Sequence, residues 1–446
     1  MTAEFGIPRA QLALLDGTAV EVAHTGGPEA AALRFPFASV TKLFTATVAL
    51  QLVGDGDLAL DVALGRYGDE FAAAPNGLGA EVTLRHLLSH TSGLVCDLDD
   101  EDRSVHGFVA AAGERDLLFP PGGAFSYSNA GFALVGRLIE SATGMAWREA
   151  VETFLLHPLG ITPAHLPGPG PSVPGPAVAQ GHAVTAAGAV PVQVRVPAAL
   201  APAAALAGTA EDLVAFARLH LDARDVAHGA LLDDDGVTAM RRPAPGAEPY
   251  GLADGWGLGW ARYGSAERPW IGLDATGGGT TCNLRVHPQD GAALALLTDS
   301  TAGLALWRGL TDWLRARGTD VGAAPAGRSR PHPAPGSAPA ADRAGTWANG
   351  TMKYRITGGT GAPLHLEDDT GARYRLDVDD HGAFSAHRVD DHGAFSAHRV
   401  DDHGAFSAHR VDVPEAPYAG RFLPHPEIEH GCLMQFAGRV LRKEVP

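Results

Sequence analysis

The spacing of apolar and polar residues predicts a mixture of strands and helices. Short apolar runs between Phe5 and Leu33, interrupted at Asp16-Gly17 and Thr25-Gly26, predict a strand hairpin near the start of the chain. A longer run rich in Leu, Val and Ala, from Thr41 to Val53, predicts a helix. The hairpin therefore leads into a strand-to-helix junction, and Ser39 lies at that junction.

Further elements follow along the chain. A short helix is expected after Thr83, which is a suitable N-cap residue. The other predicted helices are Gly131–Thr143, Thr209–Leu221 and Gly303–Arg317, and the predicted strands lie in 250–263, 284–286 and 292–297. The combination indicates a fold of the α+β class.

Length and composition narrow the class of protein. A chain of 446 residues predicts two domains, and a formal net charge of -17 argues against nucleic acid or an anionic membrane surface as a partner. No stretch reaches the ~20 apolar residues of a spanning helix, and residues 1–15 lack the pattern of a signal peptide. Cys96, Cys282 and Cys432 are widely spaced and odd in number, which fits neither a disulfide framework nor a cysteine metal site. We therefore expect a cytoplasmic protein.

The last part of the chain differs from the rest. Residues 319–343 are rich in Ala, Pro and Arg and predict a linker. Short segments in 344–446, among them Leu433 to Leu441, are typical of strands separated by turns and predict a small β-domain, barrel-like or sheet-like. Within it an eleven-residue unit occurs three times unchanged in 378–410, which indicates a recent duplication and favours an expanded hairpin or a loop.

Ser39 and Lys42 form a Ser-x-x-Lys step that places both side chains on one face of the predicted helix. A serine hydroxyl becomes a strong nucleophile when a neighbouring base takes its proton, and a lysine is such a base when burial lowers its pKa. The chain contains only three lysines, Lys42, Lys353 and Lys443, and otherwise uses arginine. A lone lysine in an apolar helix therefore indicates a catalytic base.

Two other polar segments carry candidate chemistry. In the first, His86 and His90 are four residues apart, but the apolar residues between them favour a packed face over a metal pair. In the second, Tyr127 is suited to relay a proton and Asn129 to hold a substrate amide, although such a tripeptide on its own is also typical of a loop with a helix cap.

Three motifs occur in a fixed order: Ser39-x-x-Lys42, a His-Thr-Ser-Gly-Leu loop at 90–94, and Tyr127-Ser128-Asn129. In this respect residues 5–315 resemble the serine β-lactamase and penicillin-binding-protein superfamily, in its class C-like esterase and peptidase branch. The resemblance implies a domain at 1–318 with an antiparallel sheet flanked by helices plus a helical subdomain. It also implies Ser39 as nucleophile, Lys42 as base and Tyr127 as proton relay. The C-terminal β-domain is then expected to be small and lipocalin-like.

The third motif of the family departs from its pattern here. Family members carry Lys-Thr-Gly or His-x-Gly on the strand that lines the site, whereas Ala275 or Thr276 stands at the expected basic position. The glycines still suit a close approach of backbone to substrate. The substrate-binding residues expected from the resemblance are Asn129, Thr276, Gly277, Gly278, Gly279 and Thr280.

The resemblance implies a serine acyl-enzyme that needs no cofactor and no metal. The expected partner is a small-molecule or peptide ester or thioester, carried on a carrier protein in the sharpest hypothesis. That hypothesis is a penicillin-binding-protein-type thioesterase, which releases a non-ribosomal peptide and cyclises it. The alternatives are a cytosolic esterase or a D-amino-acid-specific peptidase, and, in another class, a catalytically weakened binding protein on the same scaffold.

Overall fold

A computed structural model provides the three-dimensional structure. The residues it describes are 2, 5–98, 104–168, 175–185, 188–224, 226–322, 343–359, 362–369, 371–379, 383–389, 396–397, 408–409, 418–424 and 432–444. They form an α+β domain up to residue 322 and a β-barrel from residue 343, as expected for the fold class.

Helices account for much of the first domain. None of the helices in the described ranges is long and apolar enough to cross a membrane. The α-helices are Thr41–Gly54, Asp69–Ala72, Leu78–Glu81, Leu84–Leu88, Val105–Glu114, Asn129–Thr143, Trp147–Val151, Ala201–Ala204, Ala210–Ala217, Val226–Leu231, Asp234–Arg241 and Gly303–Arg315. The predicted cap of the short helix Leu84–Leu88 is present, because the Thr83 hydroxyl accepts the His86 N–H and His86 Nδ1 accepts the Thr83 N–H.

An antiparallel sheet forms the centre of this domain. Among the described residues it has seven strands, in the spatial order Ala19–Thr25, Ala10–Asp16, Ala292–Thr298, Thr280–His287, Trp270–Gly277, Ala261–Tyr263 and Gly255–Trp256. Alternate residues of its strands enter different cores. Leu294 and Leu296 pack with Trp307 of the last helix, whereas Ala293 and Ala295 face the main core, which also buries the helix Thr41–Gly54. The predicted antiparallel sheet flanked by helices is confirmed.

The C-terminal domain is a closed antiparallel barrel. Within the described ranges eight strands close it: Gly345–Asn349, Met352–Gly359, Ala362–Asp368, Arg373–Val378, Ala383–Arg388, Tyr418–Pro424, Cys432–Phe436 and Arg439–Lys443. Its interior contains bulky side chains, including Trp347, Phe384, Phe422 and Phe436. The barrel is thus filled by its own core, as in other small barrels.

The tandem repeats enter the barrel through their first copy. Residues Ala383–Arg388 of that copy form a barrel strand, paired with Arg373–Val378 and Tyr418–Pro424. In the second and third copies the described residues are Val389, Ser396–Ala397 and Ala408–His409, and the two short strands pair with each other. The rest of these copies, and most of the predicted linker, lie outside the described residues.

Two sequence predictions need correction. The linker was expected to begin at residue 319, but Val321 is buried and Gly322 O accepts a 3.0 Å hydrogen bond from Arg285 Nε, so this part packs on the first domain. The run from Leu433 to Leu441 was predicted as one strand. It is instead a hairpin, because Ala437 (φ 48°) and Gly438 (φ 72°) form a turn with left-handed backbone.

This turn and the turn at Gly350 dock the barrel on the first domain. Tyr127 N–H donates to Gly438 O over 2.9 Å, and a Cβ on Gly350 would lie 2.3 Å from Asp97 O. Gln435, fully buried, donates to Phe125 O (2.8 Å) and Glu248 O (3.0 Å). Buried polar contacts of this kind fix one relative geometry, since each is costly to break.

The interface predicts a stability effect at Gln435. We expect Gln435→Leu to lower the free energy of unfolding by about 2–4 kcal/mol, because it leaves the buried carbonyl of Phe125, the partly buried carbonyl of Glu248 and Arg421 Nε without their partner. The measurement is urea denaturation followed by tryptophan fluorescence. Arg355→Leu, on an exposed barrel position, is the control and should change stability by less than about 0.5 kcal/mol. Equal effects of the two substitutions would contradict this account of the interface.

Candidate active site

Ser39 lies in a tight turn between a short strand and the helix Thr41–Gly54. The 3-10 turn Ala38–Val40 places the hydroxyl just before the helix, and Ala38 has the unusual positive φ of 45°. The turn is held from the neighbouring strand Leu206–Gly208, because Phe37 N–H donates to Leu206 O and Thr41 Oγ1 accepts from Leu206 N. Backbone strain that the surroundings enforce in this way is typical of functional sites.

Lys42 is buried and its amine has three partners. Its Nζ lies 2.7 Å from Asn129 Oδ1, 3.0 Å from Ala203 O and 3.1 Å from Ser39 Oγ. The first two partners are carbonyl oxygens, which only accept hydrogen bonds. A neutral amine has two N–H groups and one lone pair, so these two contacts use both donors. The lone pair is then left for the Ser39 hydroxyl.

The surroundings of Lys42 favour this neutral form. Burial lowers the pKa of the amine to about 7, while the charge of Asp97 raises it and that of Arg439 lowers it further. The amine is 5.0 Å from the centre of the Tyr127 ring. At neutral pH a large fraction of the protein therefore holds an unprotonated base next to the Ser39 hydroxyl.

Tyr127 completes the group around the nucleophile. Burial raises the pKa of its phenol, and a hydrogen bond with Ser39 opposes that shift without reversing it. The phenol accordingly keeps its proton at neutral pH. Tyr127 is therefore suited to pass a proton on, whereas Lys42 is suited to take one up.

Asn129 has a different set of partners from the one predicted. Its Oδ1 accepts from Lys42, and its Nδ2 donates to Asp97 Oδ1 over 2.8 Å. Both ends of the amide are engaged within the protein, because the residue begins the helix Asn129–Thr143 next to the Lys42 amine. In this structure Asn129 orients the base, and the expected contact with a substrate amide would require it to leave these partners.

His90 supports Tyr127 from behind. Its ring lies 4.3 Å from the Tyr127 ring, and its Nδ1 accepts the Ser128 N–H over 3.1 Å. Burial, with Lys42 and Arg439 nearby, lowers the pKa of His90 well below its ordinary value, so the ring is neutral. His86 has a separate role as a helix cap, and among the described residues no cluster of three or more His, Cys, Asp or Glu could hold a metal.

The third motif lies on the hairpin Trp270–Gly277 and Thr280–His287. Gly277 is next to the nucleophile, since a Cβ on it would lie 3.2 Å from Ala38 Cβ. Gly278 and Gly279 are required for packing, because Cβ atoms there would lie 1.8 Å from Val194 Cγ2 and 2.7 Å from His182 N. The Thr280 hydroxyl donates to Gly277 O, while Thr276 is exposed.

The missing positive charge has a counterpart elsewhere. Ala275 belongs to the main core, so a basic residue there would be buried. Arg439, at the barrel turn, instead places its guanidinium carbon 5.5 Å from the centre of the Tyr127 ring. The sequence analysis missed both Arg439 and Asp97. The turn signal of Ala437-Gly438 could have indicated the first, but no local pattern connects it with the site.

The fold and this arrangement define a serine hydrolase of the β-lactamase type. The chain belongs to the beta-lactamase family, whose model, described as Beta-lactamase, matches residues 1–316. The family that the three sequence motifs predict is thereby confirmed.

Individual relatives extend the comparison. Penicillin-binding protein 4 of Amycolatopsis lactamdurans is 33% identical over 317 residues, which cover 66% of this chain and 82% of that protein. The crystal structure of SurE is 39% identical with a TM-score of 0.81, covering 99% of this chain and 96% of that one, so the likeness includes the barrel. A D-stereospecific amidohydrolase from Streptomyces sp. is 25% identical with a TM-score of 0.56, covering 67% of this chain and 91% of that one.

The lowered pKa of Lys42 predicts the pH dependence of activity. A base acts only when unprotonated, so kcat/KM for an aryl ester should rise with pH around 7 and at pH 6 be about one tenth of its plateau value. Lys42→Arg, which cannot be deprotonated, should lower the plateau at least about 100-fold. Lys353→Arg, at an exposed ion pair with Glu444, is the control. A profile that is flat between pH 5 and 9 would rule out Lys42 as the base.

Proposed function

We propose that the protein is a serine acyltransferase that takes a peptide from a carrier-bound thioester and closes it into a ring by attack of the peptide's own amine. The observation that carries the acyl-transfer chemistry is the buried Lys42 amine, whose two donors are occupied by carbonyl oxygens and whose remaining partner is the Ser39 hydroxyl, 3.1 Å away. No step of the reaction requires a cofactor.

The first half-reaction acylates Ser39. Lys42 takes the Ser39 proton while Oγ bonds to the thioester carbon. The carbon–sulfur bond then breaks, and the leaving thiolate receives the proton from Lys42 through the Tyr127 hydroxyl. The negative oxygen formed on the way is assigned to backbone N–H groups of Ser39 and of the hairpin at Gly278 to Thr281.

The second half-reaction releases the acyl group. The N-terminal amine of the peptide attacks the ester carbon, and its proton passes through Tyr127 to Lys42. The bond between Ser39 Oγ and the acyl carbon then breaks, and Oγ regains its proton from Lys42. Ser39, Lys42 and Tyr127 therefore carry the proton in both half-reactions. The products are a cyclic amide and the free enzyme.

Arg439 supplies the positive charge that the third motif lacks. Its Nε and Nη1 donate to Cys96 Sγ and Ala437 O, whereas its Nη2 makes no hydrogen bond within the described part of the chain. Arginine keeps its charge at any physiological pH. A free N–H pair on a guanidinium beside Tyr127 is suited to bind a carbonyl oxygen of the acyl chain.

The proposed acyl donor is a peptide that ends in a D-residue, and the support for the D-residue is similarity to a solved structure. SurE, whose likeness to this chain includes the barrel, has also been crystallised with D-Leu; that structure is 38% identical to this chain. The barrel is what places Arg439 in the site, so a shared barrel supports a shared type of acyl donor.

A second candidate is a hydrolase that transfers the acyl group to water. Two observations favour it: the likeness to a D-stereospecific amidohydrolase, and 34% identity over 145 residues to Esterase EstB of Burkholderia gladioli, which cover 28% of this chain and 37% of that protein. The chemistry at Ser39 is the same in both cases. The two functions differ only in whether an amine or water attacks the acyl-enzyme.

A peptidyl thioester ending in a D-residue distinguishes these functions. We expect the protein to convert it to a cyclic peptide that mass spectrometry detects as the loss of the thiol without the gain of water. The matched substrate with an L-residue at the same position should react poorly. Formation of the linear acid alone, together with rapid cleavage of simple aryl esters, would favour the esterase.

The inactive control is Ser39→Ala, which should give neither product. A fluorophosphonate probe should label the wild-type protein and not this variant. Failure to label Ser39 in the wild type would instead favour the binding protein on the same scaffold.

Arg439→Met tests the proposed role of the barrel arginine. We expect kcat/KM for the peptidyl thioester to fall about 10- to 100-fold, as for the loss of a hydrogen bond from a charged group. Labelling of Ser39 by the fluorophosphonate at pH 9, where Lys42 is unprotonated with or without Arg439, should be unchanged, because that reaction uses only the nucleophile and its base. Arg442→Met, on the same strand but in contact with Leu117 O, is the control. Equal losses in both variants would contradict a contact between Arg439 and the substrate.

A further inference from the structure

Cys96 has no part in the acyl transfer, yet each of its polar groups has a partner at the site. Its carbonyl accepts the backbone N–H groups of Asn129 (2.9 Å) and Ala130 (3.0 Å). Its own N–H donates to Asn349 Oδ1 over 2.6 Å, and its sulfur accepts from Arg439 Nε over 3.2 Å. The residue itself is buried.

These contacts join three parts of the molecule. Asn129 orients Lys42, Arg439 is at one barrel turn, and Asn349 ends the barrel strand Gly345–Asn349. Asn349 is also buried, and its Nδ2 donates to Val440 O over 2.8 Å. It therefore holds Cys96 against the strand that carries Arg439. Cys96 therefore fixes the position of Arg439 relative to Lys42.

The state of the sulfur matters for the charge of the site. Burial, together with Asp97, raises the pKa of the Cys96 thiol to about 11, and Arg439 opposes the shift without cancelling it. The thiol is therefore neutral at physiological pH. A neutral sulfur orients the guanidinium without forming an ion pair with it, which leaves the positive charge of Arg439 available to a ligand.

We propose that Cys96 is a positioning residue: its thiol directs Arg439 so that Nη2 faces the acyl chain, while its backbone holds Asn129 and through it Lys42. The inference rests on the proposed role of Arg439 in acyl-donor binding. It assigns to Cys96 no covalent chemistry. The backbone part of the role survives any side-chain substitution, whereas the thiol part is lost when the acceptor is removed.

The test is a double-mutant cycle on Cys96 and Arg439. Cys96→Ala removes the acceptor and should lower kcat/KM for the peptidyl thioester about 5- to 30-fold, less than the loss of Arg439 itself, because sulfur is a weak acceptor. Cys96→Ser, which restores an acceptor, should recover most of that loss. Combined with Arg439→Met, Cys96→Ala should cause no further loss, because the residue it orients is gone.

Two further measurements separate positioning from simple damage. Fluorophosphonate labelling of Ser39 at pH 9, where Lys42 is unprotonated whatever the position of Arg439, should be the same in Cys96→Ala as in the wild type. Cys432→Ala, the same truncation at a buried cysteine of the barrel hairpin, should leave kcat/KM unchanged. The proposal would be overturned if the fold-loss in kcat/KM of the double variant equalled the product of the two single fold-losses. It would also be overturned if Cys96→Ser lost as much activity as Cys96→Ala.

The outcome remains decisive if the wild type does not turn over the thioester. That result would reject the proposed function. The positioning role of Cys96 would then be tested by NMR, as the rate at which the Arg439 Nε–H proton exchanges with water in protein that contains isotope-labelled arginine. Slow exchange of this proton in the wild type and in Cys96→Ser, and fast exchange in Cys96→Ala, would support it. Equal exchange rates in all three would reject it.

Discussion

The chemistry proposed for this protein depends on an amine whose pKa burial lowers to about 7, so that a large fraction of it is unprotonated at neutral pH. Moving the pKa of Lys42 from 10.5 to about 7 corresponds to about 5 kcal/mol against its charged form. That cost persists because the helix carrying Lys42 lies in the main core, where the rest of the fold stabilises it. The negative potential of Asp97 opposes the shift and Arg439 supports it. The two charged neighbours therefore adjust a value that desolvation sets.

The barrel is a wall of the active site as well as an attached domain. Its turns at Gly350 and Gly438 contact Asp97 and Tyr127 directly, and the polar side chains of Asn349 and Gln435 are buried at the junction. Buried polar groups tolerate little displacement, since each lost partner has a large cost. A barrel held in this way fixes the position of Arg439 as firmly as a strand of the central sheet would.

Much of the fold and half of the site follow from local sequence. The pairing of Ser39 with Lys42 is contained in one helical turn, and the cap of Thr83 involves only the four residues up to His86. Asn129 was recognised, but its partners were not, because contacts with Lys42 and Asp97 arise from packing between distant segments. Arg439 is 343 positions from Cys96, and reading Leu433 to Leu441 as one strand concealed the turn that presents it.

The loss of a motif residue is therefore weak evidence for the loss of function. The electrostatic interaction of a positive charge with an acyl donor depends on the distance between them and not on which segment of the chain carries the charge. At Ala275 the strand faces the main core, where a lysine would be desolvated and tend to lose its charge. An arginine from a docked turn keeps its charge next to Tyr127, and it does so only while the barrel stays in contact with the first domain. With the role proposed for Arg439, activity depends on the contact between the barrel and the first domain.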